Sequence, residues 1–137
     1  MEKIVIPHKS TKPALDSLLA AIALILMLAP AMSNAADDTQ VGRQLFEKRC
    51  TGCHALDRNK EGPRLGGVYG RKVGSVQGFG YSAGMKSAGF TWDDSHLERW
   101  LSDTDSVVPD NNMDFHLASA QERAAVIRYL KALSTTR

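Results

Sequence analysis

Two thiols and an imidazole stand together at Cys50-Thr51-Gly52-Cys53-His54. Residues three apart on a helical turn face the same way. Both sulfurs can therefore reach the two vinyl groups on one edge of a porphyrin, and the backbone then carries His54 beneath the iron. This is the C-x-x-C-H pattern of covalent c-type haem attachment. Thr51 and Gly52 bridge the thiols, and Gly52 leaves room for a flat ring against the backbone. Two other chemistries use such a pair. A zinc ribbon needs a second ligand pair, and the chain has no third cysteine. A dithiol oxidoreductase sets its C-x-x-C in a βαβ frame, which this sequence lacks, so a haem-free dithiol protein is the weaker alternative.

An iron held by His54 has a second face. Left open, it binds or activates small molecules; filled, it favours electron transfer. Beyond the first 36 residues the methionines are Met85 and Met113. Met113 lies in Val107-Val108-Pro109-Asp110-Asn111-Asn112-Met113-Asp114-Phe115, where Pro fixes a turn and a non-helical loop can turn the thioether inward. Met85 falls on a short helical stretch and reads as core packing. His96 and His116 are the nitrogen rivals. Met113 is the preferred ligand. Its thioether favours reduced iron more than a second imidazole would, and burial disfavours the extra ferric charge. Both effects describe a high-potential carrier.

The elements that position these groups begin after a leader. Lys3, Lys9 and Lys12 precede an apolar run over residues 18–28, and Ala29-Pro30-Ala31 and Ser33-Asn34-Ala35 offer small-residue cleavage sites. Residues 1–36 therefore read as a cleaved secretory signal peptide. The run is shorter than the roughly 20 residues of a membrane-spanning helix; the alternative is an uncleaved anchor. The full chain carries a net charge of +2, and removing three lysines with Glu2 and Asp16 keeps the remainder close to neutral. Nucleic-acid binding would need a clustered basic face, and none is present. All the aromatic residues follow the leader. A chain so short buries only a modest core, to which a haem would add a large apolar centre.

Asp38 or Thr39 can cap a helix running to about Arg49, with Val41, Leu45 and Phe46 on one face. Gly42 inside it costs about 1 kcal/mol relative to Ala, which a close backbone contact would explain. Residues 55–80 lack periodicity and contain seven glycines. So long an irregular stretch suits a loop wrapped on a flat ligand, with Leu65, Val68, Tyr69, Val73 and Phe79 facing it. A short helical turn at residues 82–87 follows. Thr91-Trp92-Asp93-Asp94 reads as a cap for a helix to about Ser102 that turns Leu97, Trp100 and Leu101 inward. Residues 102–115 look irregular. Ser119-Ala120-Gln121-Glu122 is a capping box that opens a last helix striped by Val126, Tyr129, Leu130 and Leu133. No strand alternation and no internal repeat is found, so the fold class is all-α.

These residues together resemble the class I cytochromes c, in particular the mitochondrial-type and bacterial soluble members. The resemblance runs over most of residues 41–133. It rests on Cys50-Thr51-Gly52-Cys53-His54, Gly62-Pro63-Arg64-Leu65, Tyr69-Gly70-Arg71-Lys72, Gly78-Phe79-Gly80-Tyr81, Thr91-Trp92 and Ile127-Arg128-Tyr129-Leu130. It implies a cytochrome c domain over residues 37–137, with three main helices, short helical turns and long loops around one covalent haem. It also implies thioethers at Cys50 and Cys53, axial iron ligands His54 and Met113, and a carbonyl of Pro63 that accepts from the outer nitrogen of His54. Arg71, Tyr81 and Trp92 match positions that hold the inner haem propionate, a buried charge otherwise without partners. Gly42 and Phe46 would cross the last helix near Tyr129 and Leu130, and Phe115 would shield the haem edge.

The sequence departs from that pattern in places. The connection from His54 to Pro63 is shorter than in the mitochondrial form. Trp100 stands for the usual Tyr, Met85 for a frequent Asn, and Pro109-Asp110-Asn111-Asn112-Met113 for the usual Pro-Gly-Thr-Lys-Met. Relatives gather lysines around the exposed haem edge, whereas residues 102–115 carry Asp103, Asp105, Asp110 and Asp114 with no Lys or Arg. The expectation is a periplasmic, monomeric one-electron carrier and not an enzyme. It would shuttle between a donor such as a membrane cytochrome complex or dehydrogenase and an acceptor such as a terminal oxidase or reductase of a respiratory chain. The alternative is a peroxidase-like or ligand-binding haem protein with a labile Met113.

Overall fold

The computed structural model describes residues 35–135, so the expected leader lies outside the described residues apart from Ala35 and Ala36. Three longer helices and two short ones occur in the order α1 Ala35–Arg49, α2 Ala83–Ser87, α3 Asp94–Ser102, α4 Thr104–Val107 and α5 Ala120–Thr135. Among the described residues the only extended pairing is an isolated antiparallel bridge between Lys72 and Thr91. The class is all-α, as the periodicity indicates.

Helix α1 starts before the expected cap, so Asp38 lies inside it. Its carboxylate meets Arg128 of α5 at 3.4 Å. The two helices cross at Gly42, where a Cβ would sit 2.0 Å from the carbonyl oxygen of Ala125 and 3.0 Å from the Cβ of Tyr129. That contact explains a glycine in mid-helix. One turn on, Phe46 packs on the Tyr129 ring with centroids 5.4 Å apart. The close crossing also overturns one expectation. Val41 is 44% exposed, because the axis of contact runs through Gly42 and Phe46 and turns the neighbouring side chain to solvent.

Helix α3 is capped by Asp93, whose carboxylate accepts the His96 N–H at 2.7 Å. The cap therefore falls later than Thr91. Leu97, Trp100 and Leu101 are buried as the spacing predicts. In α5 the Ser119 hydroxyl accepts the Glu122 N–H at 3.3 Å, and Ala125 and Ile127 join Val126, Tyr129 and Leu130 in the core. Leu133 is only half-buried. Helix α3 packs against both α4 and α5.

The connection over residues 55–80 is irregular, as expected, but its apolar residues divide. Val68 and Val73 are buried and belong to the central cluster. Leu65 and Tyr69 are partly buried against that cluster. The Tyr69 hydroxyl donates to Asp94 at 2.5 Å, and the Lys131 ammonium reaches the same carboxylate at 2.9 Å. These bonds tie loop, α3 and α5 together and hold the Asp94 carboxyl below the ordinary carboxylate range, Lys131 contributing most. A depressed acid stabilises the fold above its unfolded pKa, and that contribution fades as pH falls through the depressed value.

The α1–α5 crossing makes a definite prediction. Gly42→Ala forces backbone atoms apart and should lower unfolding free energy by about 1–3 kcal/mol, read as a reduced denaturant midpoint at unchanged slope.

Candidate functional site

The residues that carry the chemistry follow directly on the last turn of α1. Cys50 N–H donates to Phe46 at 2.8 Å and His54 N–H to Cys50 at 2.9 Å, so the helical path continues through the pentapeptide. Both thiols are free, Cys50 half-buried and Cys53 exposed. Space beside Gly52 is open. Burial pushes the Cys50 thiol up to about 11. Reactive dithiols rely instead on a depressed thiolate pKa, often at a helix N-terminus; this pair lies at a C-terminal end, where the dipole opposes negative charge. Among the described residues no third ligating side chain gathers with the pair to hold a metal. The dithiol and zinc readings have no support in this geometry.

His54 is buried, and its Nδ1 lies 2.8 Å from the carbonyl oxygen of Pro63. A carbonyl can only accept, so Nδ1 carries the hydrogen and the lone pair resides on Nε2. Burial lowers the basicity of the ring, partly offset by the Pro63 bond, and nearby Lys60 lowers it further. A neutral imidazole with one nitrogen committed is the form that ligates metal. Gly62 fits flush against the ring: a Cβ there would sit 2.2 Å from its Cε1. The short connection closes through Gly62 N–H to Cys53 at 2.8 Å, Leu65 N–H to Ala55 at 2.8 Å and Gly66 N–H to Leu56 at 2.9 Å. Lys60 donates to the carbonyls of Thr51 at 2.5 Å and Gly52 at 3.0 Å, capping the turn. Sequence reasoning gave a role to Pro63 but none to Gly62 or Lys60, whose roles depend on how tightly this connection folds back.

Met113 is half-buried against the central cluster, as are Met85, Phe90 and Phe115. The segment before it contains a helix, α4, in place of the expected irregular chain. Asp103 caps it by accepting from the N–H groups of Asp105 and Ser106, and four residues are too few to show a period. Helix α2 seats against this loop through Gly84, whose Cβ would lie 2.5 Å from the carbonyl oxygen of Pro109. Asp110 takes a positive φ of 63°, which is why glycine is at home after that proline. His96 stacks on Phe90 with centroids 4.3 Å apart and pairs with Asp93 at 2.8 Å.

Arg71, Tyr81 and Trp92 are held in one neighbourhood. Arg71 donates to the carbonyls of Gly66 at 3.0 Å and Arg64 at 2.8 Å, and its own carbonyl accepts from Trp92 N–H at 3.0 Å. Burial raises the Tyr81 phenol, against a hydrogen bond from Val76 N–H and the charges of Arg71 and Arg64. The Trp92 ring meets Trp100 edge-on at 5.3 Å. Arg64 was given no role from sequence; its partnership appears only once the loop is folded.

A family model described as Cytochrome c matches residues 39–134. The chain belongs to the cytochrome c family. Among its relatives, cytochrome c of Tetrahymena pyriformis is 41% identical over 98 residues, covering 70% of this chain and 89% of that one. Cytochrome c2 iso-2 of Magnetospirillum fulvum is 44% identical over 87 residues, covering 61% and 91%. The structure of cytochrome cH from Methylobacterium extorquens superposes with a TM-score of 0.66 at 35% identity, over 69% of this chain and 98% of that one. The cytochrome is thus an electron carrier with one covalent c-type haem and its iron. The residues present fit that group: two free thiols one helical turn apart, a free Nε2 on a buried imidazole, and open space at Gly52.

Gly62→Ala should push the His54 ring off its seat. The expected result is a fold weaker by about 1–3 kcal/mol and a reduced yield of haem-loaded cytochrome, measured by denaturation and by the ratio of haem to protein absorbance.

Proposed function

We propose that this cytochrome is exported to the periplasm, where it acts as a monomeric one-electron shuttle whose iron His54 and Met113 would hold. The basic start, short apolar run and small-residue sites support export, and thioether attachment in this class takes place outside the bacterial cytoplasm. Among the described residues no helix is long and apolar enough to cross a membrane. Cys50 and Cys53 would anchor the haem, and Arg71, Tyr81 and Trp92 would hold its inner propionate. When bound, the haem supplies the one-electron couple of its iron. The chain supplies the rest. Pro63 fixes the ring of His54, Met113 offers a thioether that favours the reduced state, and the apolar cluster excludes water. Cys53 is exposed, so a partner protein could approach the point of attachment.

The observation that carries this reading is the His54–Pro63 bond directly after the C-x-x-C turn. It leaves Nε2 unprotonated, with its lone pair available to bind iron. A visible spectrum of the exported protein with a redox titration tests the reading: low-spin bands and a high potential are expected, and a five-coordinate resting iron would overturn it. Met113→Ala should lower the potential by at least about 0.1 V, part of the roughly 0.8 V that axial ligands command, and admit carbon monoxide without denaturant.

Partners would be a donor such as a membrane cytochrome complex or dehydrogenase and an acceptor such as a terminal oxidase or reductase. Asp103, Asp105, Asp110 and Asp114 are all exposed beside the Met113 loop, so docking would not rest on a basic ring. Stopped-flow rates with an acidic oxidase-type partner should change by less than about threefold from low to high salt, whereas opposite-charge steering alters rates by about 10–10³.

A further inference from the structure

Met113 lies in chain without regular structure, yet its peptide is gripped from both sides by side chains. The Thr104 hydroxyl, in a residue only 3% exposed, donates to the Met113 carbonyl at 2.6 Å. The Asn111 side-chain oxygen accepts the Met113 N–H at 2.7 Å. The Asn111 amide nitrogen donates to the Asp105 carboxylate at 2.7 Å and to the Val108 carbonyl at 3.0 Å. These partners fix the orientation of the amide, because a flipped group would set a donor against an N–H and an acceptor against two oxygens. Both grips originate in α4: Thr104 is its first residue, and Asp105 is held by the Asp103 cap.

A neutral thioether is a weak ligand for ferric iron, so its occupancy depends on how firmly the chain presents it. A loop that opens more often yields its coordination position more readily to a competing ligand. We infer that Thr104 and Asn111 are positioning residues that clamp the Met113 peptide and set how easily its sulfur leaves the iron. The inference rests on Met113 being the axial ligand.

Imidazole binding to the ferric holoprotein tests it. Thr104→Val keeps the shape and removes the donor; Asn111→Ala removes the acceptor at a half-buried position where folding is less at risk. Each should tighten apparent imidazole binding by about three- to tenfold, the range expected for one lost hydrogen bond. Thr104→Ser, which restores a hydroxyl, should return the value to within about twofold of the parent. Val126→Ala, a core truncation in α5, should weaken the fold and leave imidazole binding near the parent value. Thr104→Val and Asn111→Ala both indistinguishable from the parent, or Val126→Ala matching them, would overturn the clamp. Met113→Ala separates the two readings. If it leaves imidazole affinity at the parent level, the ligand assignment fails; if it opens the iron while the clamp variants do not, only the clamp fails.

Discussion

The imidazole of His54, held by one backbone carbonyl, is the constraint from which the rest of the site follows. Its Nδ1 proton is committed to Pro63, so its other nitrogen is fixed in protonation and direction together. That requirement draws the chain back sharply after the pentapeptide. Gly62 must come flush against the ring, and Gly66 must approach the Leu56 carbonyl, where a Cβ would sit 2.3 Å away. A buried polar ring without this partner would carry a desolvation penalty of about 1–3 kcal/mol. The bond therefore satisfies folding and leaves Nε2 with the lone pair that a metal would need.

Around this anchor the helices do different jobs. The α1–α5 crossing fixes the end of α1 from which Cys50, Cys53 and His54 extend, and Gly42 lets the backbones approach closely enough for Phe46 to lock on Tyr129. Helix α3 provides the indole wall through Trp100 against Trp92. The Tyr69–Asp94–Lys131 contacts join the long loop to α3 and α5 at the surface. Each polar contact there is exposed and so individually weak; the apolar cluster carries the stability.

What could be read from the sequence was whatever is local along the chain. Cys50, Cys53 and His54 are contiguous, and the stripes of α3 and α5 repeat over several turns, so their types and spacing declare them. The exposure of Val41 could not be read, because it depends on where α5 crosses. Val68 and Val73 stand in a loop without period, and only the folded chain shows that they join the buried cluster. Helix α4 escaped notice because one turn has no period. Thr104 reads as an ordinary polar residue until the chain brings the Met113 carbonyl to it nine positions later.

That last point separates the surroundings of His54 from those of Met113. On the His54 side, the anchor is a backbone carbonyl nine residues away, within a connection that bonds to itself through backbone groups. Substitution of side chains alone leaves most of those bonds intact. On the Met113 side, the loop turns at Pro109 and a strained Asp110, and its peptide is held by a hydroxyl and an amide. Side-chain grips can be strengthened or lost one residue at a time, whereas backbone grips change only with the fold. Under the proposed ligation, the methionine side is therefore where single substitutions would tune the hold on the iron without disturbing attachment. The replacement of the family's Gly-Thr-Lys before the methionine by Asp110-Asn111-Asn112 falls on that tunable side.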